Sequence, residues 1–384
     1  MKLFHLSDLH IGLKLMNREL KADQMHVMTQ VVEYAKEEQP DVIMIAGDIY
    51  DKAVPSAEAV ELFDWFVSGL CQAASLAEVM MISGNHDSAS RINLFRSILE
   101  SRNVHMIGFP PQTPEEFIEK ITLKDEWGKV NFYLLPFVKP SMVKQITGTD
   151  ENGNNLSYND TVHRLIGREK IDATERNVLV SHQFYLPAGK RAEEVERMDS
   201  EIRTVGNIDE VKADVLEGFD YAALGHIHKP MKVGSDRYRY CGTLLASSVS
   251  EAGQKKGVIK IMLGEKGNVE TETLPLVPLR EVRVVEGTLE EILEQQSDDY
   301  VTVILTDRVD FDVFDLHSRL RKRFPNLLEI RRKKVRKADY GTEYDQEEQP
   351  DAFELCKAVL GELDEAEEDL LREVIRTVQE VEQG

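Results

Sequence analysis

Residues 41–48 read Asp41-Val42-Ile43-Met44-Ile45-Ala46-Gly47-Asp48, five apolar residues with no polar alternation, followed by a glycine and an acid. A half-buried strand alternates apolar and polar positions, so an unbroken apolar run of this kind reads as a strand covered on both faces. The pattern recurs at Val79–Ile82, Val178–Val180 and Tyr221–Leu224, and each run stops at a polar residue or a glycine. Between the first two runs, Pro55-Ser56 opens a helix whose Val60, Phe63, Val67 and Leu70 step by three and four along one face. That face is expected to lie on the sheet. Apolar runs alternate with helical patterns to about residue 275, which predicts an α/β layered domain.

From residue 279 the pattern changes. Glu281–Val285 reads as a strand, and Thr288 with Glu291 forms a capping box that opens a short helix. Tyr300–Leu305 is a second strand, Val313–Phe324 an amphipathic helix and Leu327–Val335 a third strand, ending in the basic run Arg331-Arg332-Lys333-Lys334 with Arg336 and Lys337. Beyond the polar stretch Ala338–Pro350, two helices are expected, separated at Gly361, with Asp364 and Glu367 capping the second. Leu363, Ala366, Leu370, Val374, Val378 and Val381 would form an apolar stripe there. The organisation expected is therefore a main domain over 1–278, a small domain over 279–340 and a helical tail over 350–384.

A chain of 384 residues has room for two or three domains, and 42% hydrophobic with 30% charged residues is an ordinary globular composition. No apolar run approaches the roughly 18–20 residues of a membrane span. The first residues are too short in their apolar stretch for a signal peptide, so a cytoplasmic protein is expected. Cys71, Cys241 and Cys356 are isolated and indicate neither a disulfide framework nor a zinc ribbon. The net charge of −22 repels a polyanion. Residues 351–384 hold eleven acids and three bases, so −8 of that charge sits in the tail. A nucleic-acid enzyme with this balance must draw affinity from a partner or from bound metals.

Five segments carry chemistry: Asp8-Leu9-His10, Gly47-Asp48, Gly84-Asn85-His86-Asp87, Ser181-His182 and Gly225-His226-Ile227-His228. Each follows an expected buried strand, and in open α/β sheets the residues beyond the carboxyl ends of the strands converge on one rim. An aspartate after a strand ordinarily caps a helix and a lone histidine is ordinarily structural. Five strands all ending this way, three with a glycine that permits close backbone approach, are better read as one site. Two carboxylates, an amide oxygen and four imidazoles suit Mn²⁺, Fe²⁺ or Zn²⁺ rather than Ca²⁺. They are too many for one ion; two divalent ions sharing a carboxylate would accept them, acidify a water and stabilise charge on a phosphoryl group.

In this order the segments resemble the calcineurin-like metallophosphoesterases. With Ser7–Gly12, Asp23-Gln24, Ile45–Asp51, Gly84–Ser88 and Phe219–His228 they are similar to the SbcD-type nuclease subunits in particular, over residues 1 to about 340. The resemblance implies an α/β layered sandwich core with a small α+β capping domain and C-terminal helices. It implies Asp8, His10 and His228 on one metal, Asn85, His182 and His226 on the other, and Asp48 bridging them. His86 then orients the phosphodiester and donates a proton to the leaving 3′ oxygen, with Asp51 near the substrate. It further implies Mn²⁺, DNA as substrate, a homodimer within a heterotetramer, and an SbcC-type coiled-coil ATPase docked on the tail. Tyr240-Cys241-Gly242-Thr243-Leu244-Leu245 departs from the Gly-Ser-Pro usual at that place, which is expected to alter the fit of the substrate strand. His5, His26, His105, His163 and His317 match no motif and are expected to be structural.

Two other readings meet specific residues. A phosphatase of this superfamily continues Gly-Asp with Asp-Arg-Gly and follows Asn-His with Glu, whereas Ile49-Tyr50-Asp51 and Asp87 stand here. A scaffold without activity would be favoured by loss of a ligand, and none is lost.

Overall fold

In the computed structural model, residues 1–94, 96–187, 209–307 and 313–333 are described. Val42–Ala46 is a strand with every residue buried, flanked in parallel by Lys2–Leu6 and Glu78–Ile82. Because side chains alternate across a strand, Ile43, Ile45, Val79, Met81, Phe4 and Leu6 fall on one face, against the helices Lys21–Glu38 and Ala57–Ala73. Val42, Met44, Ala46, Met80, Ile82 and Leu3 fall on the other, against Phe132, Val178, Val180, Tyr221 and Ala223 of a second sheet. The first sheet runs Val269–Pro275, Gly257–Leu263, Lys2–Leu6, Val42–Ala46, Glu78–Ile82, Val104–Ile107 from edge to edge; the second runs Met231–Val233, Ser235–Tyr240, Tyr221–Gly225, Arg176–His182, Gly128–Leu135, Glu119–Asp125. Helix Tyr158–Gly167 covers the outer face of the second sheet through Val162, Leu165 and Ile166. The result is helices, sheet, sheet and helix in four layers, the α/β sandwich expected from the sequence. No helix among the described residues is long and apolar enough to cross a membrane.

The helix after Ser56 forms as expected, with the Ser56 hydroxyl accepting from Ala59 N at 3.3 Å, but it buries a different face. Ala59, Leu62, Phe66 and Leu70 are buried, Phe63 and Val67 lie at the margin, and Val60 is 45% exposed. Apolar residues occupy so much of this helix that their spacing alone does not choose which edge faces inward.

His5 lies between the sheets, fully buried, with Nδ1 3.0 Å from the Tyr221 hydroxyl and Nε2 3.2 Å from the Leu224 carbonyl. Burial pushes its pKa down from 6.5 to about 3; the Leu224 bond opposes this and the charge of Arg239 adds to it. The unfolded chain therefore binds the proton that the folded chain refuses. The stabilising effect of a neutral His5 is complete above about pH 6.5 and is lost as pH falls toward 3. In denaturant titrations of the metal-free chain between pH 6.5 and 4.5, His5→Gln should reduce the loss of stability by roughly 1 kcal/mol per pH unit. Equal slopes in the two proteins would show that His5 does not resist protonation.

The small sheet Val282–Gly287, Tyr300–Leu305, Leu327–Arg332 is parallel throughout and has its own apolar cluster, including Val285, Ile292, Val303, Leu320 and Phe324. The Thr288–Glu291 capping box forms: the hydroxyl accepts from Glu291 N and the carboxylate from Thr288 N. This sheet is fastened to the core at the first turn of helix Lys21–Glu38, where Asp23 accepts from Arg280 at 2.7 and 3.0 Å and from the Tyr300 hydroxyl at 2.9 Å. In the basic run, Arg331 pairs with Glu329 and Lys333 with Glu286. Lys334, Arg336, Lys337 and both expected tail helices lie outside the described residues.

Candidate metal centre

The chain reaches one rim of the sandwich by five routes. Asp8 and His10 follow strand Lys2–Leu6, Asp48 follows Val42–Ala46, Asn85 and His86 follow Glu78–Ile82, His182 ends Arg176–His182, and His226 and His228 follow Tyr221–Gly225. The first two loops continue the parallel pairing of their strands. Asp8 N donates to Gly47 O and His10 N to Asp48 O, both at 3.0 Å, and Ile11 N to Ile49 O at 2.9 Å. Asp8, His10, Asp48 and His226 all have positive φ, half of the eight non-glycine residues that do so among those described. That conformation is costly for a residue with a side chain, and its concentration here is the pattern of a functional site.

Glycine is required where these loops cross. A side-chain carbon on Gly84 would run into Asp48, one on Gly47 into the His182 ring, and one on Gly225 into the Ala46 carbonyl and that same ring. Gly225 is also held in register opposite His182. Gly225→Ala should therefore destabilise the chain by about 1–3 kcal/mol and lower its metal content together. Unfolding curves and bound metal per chain check this; an unchanged metal content would mean that the rim absorbs the methyl without moving His182.

Two clusters of donors result. Asp8, His10 and His228 offer atoms all within 4.8 Å of one another. His10 Nε2 and His228 Nε2 are 3.0 Å apart. In the other cluster the Asn85 amide oxygen is 3.0 Å from His182 Nε2 and 2.8 Å from His226 Nδ1. Asp48 reaches both, 3.7 Å from His10 Nε2 and 3.3 Å from His182 Nε2. His86 is half-buried at the edge, its N–H donating to Asp48 at 2.8 Å and its Nδ1 2.9 Å from the Asp51 carbonyl. With His10 and Asp48 it forms a further group of donors within 4.8 Å. The Asp51 carboxylate is 3.9 Å from His10 Nδ1.

The donor set fits divalent ions. His182 Nδ1 lies 2.8 Å from the Ala46 carbonyl and donates to it, so a neutral His182 turns the lone pair of Nε2 toward the Asn85 oxygen. Two lone pairs at that distance need a proton or a cation between them. In the protein alone a proton does this: burial would lower the pKa of His182, but the charge of Asp48 outweighs it and lifts it to about 9. Burial likewise works against the Asp48 carboxylate, which His182 and then His10 nonetheless hold low. Burial raises the Asp8 carboxyl and drives His10 well below the usual imidazole range, and the buried Nδ1 of His10 has no hydrogen-bond partner. A dication would stabilise both buried carboxylates and take up the imidazole lone pairs.

Several residues support the site without having been assigned a role from the sequence. The Gln24 amide donates to His10 O at 2.7 Å and Leu9 O at 3.3 Å and accepts from Gly12 N at 3.1 Å, holding the strained Asp8–His10 loop. Asp87 accepts from Gly84 N, Ile49 N and Tyr50 N at 2.9–3.0 Å and so joins the Asp48 and Asn85 loops. Burial and the charge of Asp48 raise its pKa to about 6. The Phe137 ring stacks on His226 at 6.2 Å between centroids. Asp87 and Gln24 sit within quoted motifs; Phe137 has no signal in the sequence.

Residues 1–230 match the family model described as calcineurin-like phosphoesterase. The chain belongs to the calcineurin-like phosphoesterase family. As a member of that family it is a metal-dependent phosphoesterase, and Asp8, His10, Asp48, Asn85, His182, His226 and His228 all fall within the matched residues. Residues 277–378 match the SbcD_C model, described as type 5 capsule protein repressor C-terminal domain. A calcineurin-like phosphoesterase domain followed by an SbcD_C domain makes the chain an SbcD-type subunit. Similar solved structures include TT1561 of Thermus thermophilus, 11% identical with a TM-score of 0.38 over 71% of this chain and 98% of its own. GAP50, the anchor in the inner membrane complex of Plasmodium, is 10% identical with a TM-score of 0.40 over 87% and 97%. A dimetal phosphatase from Danio rerio is 11% identical with a TM-score of 0.37 over 71% and 98%.

Proposed function

We propose that this phosphoesterase hydrolyses DNA phosphodiester bonds. It would act as a 3′ to 5′ double-strand exonuclease and as a single-strand and hairpin endonuclease in DNA end processing, repair and recombination. The observation that carries the reading is the pairing of two donor clusters about Asp48 with an SbcD-type C-terminal domain. Asp8, His10 and His228 would hold one ion, Asn85, His182 and His226 the other, and Asp48 both; Mn²⁺ is the metal proposed. Bound ions would supply positive charge to a phosphodiester approaching an acidic protein and acidify the attacking water. The chain's own residues do the rest. His86 donates from Nδ1 to the Asp51 carbonyl, so that its protonated, imidazolium form would present a second N–H at Nε2 to hold a phosphoryl oxygen and pass that proton to the departing 3′ oxygen, leaving the ring neutral. Burial raises the Asp51 carboxyl above the usual carboxylate range.

The remaining proposals concern assembly: a homodimer, with an SbcC-type coiled-coil ATPase docked on residues 350–384. A chain ending at residue 349 should lose that ATPase in pull-down and keep metal-dependent hydrolysis. Association that survives the truncation would place the docking surface elsewhere. The substrate is tested by offering the chelator-stripped chain, reloaded with Mn²⁺, end-labelled duplex and hairpin DNA beside a phosphomonoester and a simple phosphodiester. Addition of the ATPase and ATP forms a second arm. Loss of nucleotides from 3′ ends or opening of hairpins supports the nuclease. Intact DNA with hydrolysis of the simple diester would leave the metal site and remove DNA as its substrate.

A further inference from the structure

We infer that Ser247 and Glu251 are positioning residues that fix the ring of His228 for metal binding; the inference rests on the two-ion reading above. Glu251 is fully buried behind the site. Its carboxylate accepts from the Ser247 hydroxyl, from the Thr243 hydroxyl at 2.9 Å, from the Ser248 hydroxyl at 3.2 Å and from Lys256 Nζ at 2.7 Å. Lys256 Nζ also donates to the His228 carbonyl at 2.8 Å. The Ser247 oxygen lies 3.2 Å from His228 Nδ1. A carboxylate can only accept, so the serine gives its proton to Glu251 and its oxygen accepts from His228. Nδ1 of His228 thus carries the hydrogen, and Nε2 keeps the lone pair that faces His10 Nε2 at 3.0 Å. Ring and backbone of one ligand end on the same Glu251–Lys256 ion pair, whose partners balance each other's charge away from water.

This arrangement also accounts for the stretch that departs from the SbcD pattern. Gly242 has φ +77°, and a side-chain carbon there would run into the His228 carbonyl. Thr243 is buried and bonded to Glu251. The stretch builds the wall behind His228.

The test is Mn²⁺ titration of the full-length, chelator-stripped chain, following free Mn²⁺ by electron paramagnetic resonance, with unfolding of the metal-free chain alongside. Ser247→Ala should raise the dissociation constant of one ion about 10–100-fold and leave the other unchanged, in a metal-free chain that still unfolds in a cooperative transition. Ser247→Thr keeps the hydroxyl and should restore binding. Glu251→Gln should weaken the same ion, and the serine pair decides the matter if that variant does not fold. His228→Ala identifies which ion is affected. If Ser247→Ala binds both ions normally while His228→Ala loses one, the positioning role is wrong and the two-ion reading stands. Normal binding by His228→Ala removes the two-ion reading and this inference with it.

Discussion

His86→Ala is expected to keep its full complement of metal while DNA cleavage slows by about 10²–10⁴-fold, the usual contribution of a proton-transfer group. Two hydrogen bonds tie His86 into the site. Its backbone N–H, which alanine retains, supports Asp48, while its Nδ1 is engaged by the Asp51 carbonyl. The ring therefore contributes Nε2, at the half-buried edge of a cluster whose other members are buried. His86 also lies within ligand reach of His10 and Asp48. Metal analysis beside single-turnover cleavage separates the two roles. Loss of an ion in this variant would make His86 a ligand and leave the leaving-group proton without a donor.

Asp48→Ala should do the opposite, removing both ions and all cleavage. The Asp48 carboxylate reaches both clusters, 3.7 Å from His10 and 3.3 Å from His182, and it also accepts from His86 N. Its loss leaves a backbone N–H without an acceptor, about 1–3 kcal/mol of stability. His182 loses the charge of Asp48, the main influence that lifts its pKa to about 9 against burial, and keeps only Asp8 and the Ala46 carbonyl to support its protonated form. The variant should therefore unfold at lower denaturant and bind Mn²⁺ no better than His182→Ala. Retention of one tightly held ion would mean that the two clusters do not share this carboxylate.

The rim was legible because strands buried on both faces carry apolar runs that stop close to where the strands end. Asp48 and His226 are the first polar side chains after such runs, and Asn85 and His182 follow directly behind Ser83-Gly84 and Ser181. The same signal showed that both faces of Val42–Ala46 are covered, while the second sheet on one of them was implied only by the family resemblance. Edge strands were harder to see. Glu119–Asp125 and Val269–Pro275 alternate with charged residues and resemble any exposed segment. On helix Ala57–Ala73 an apolar surface too broad to mark its inner edge led to Val60 where Ala59 and Leu62 are buried. Ser247 and Glu251 left no trace because they meet His228 across an irregular loop, where no periodicity connects them. Gln24 acts through backbone groups of another loop, which only the folded chain brings together.

These seven side chains are proposed to hold two ions about a shared Asp48. Crystals of the chain soaked in Mn²⁺, measured at a wavelength where manganese scatters anomalously, test it directly. Two peaks roughly 3.5–4 Å apart are expected, one against Asp8, His10 and His228 and one against Asn85, His182 and His226, each within coordinating distance of Asp48. A single peak, or two with Asp48 bound to only one of them, would contradict it.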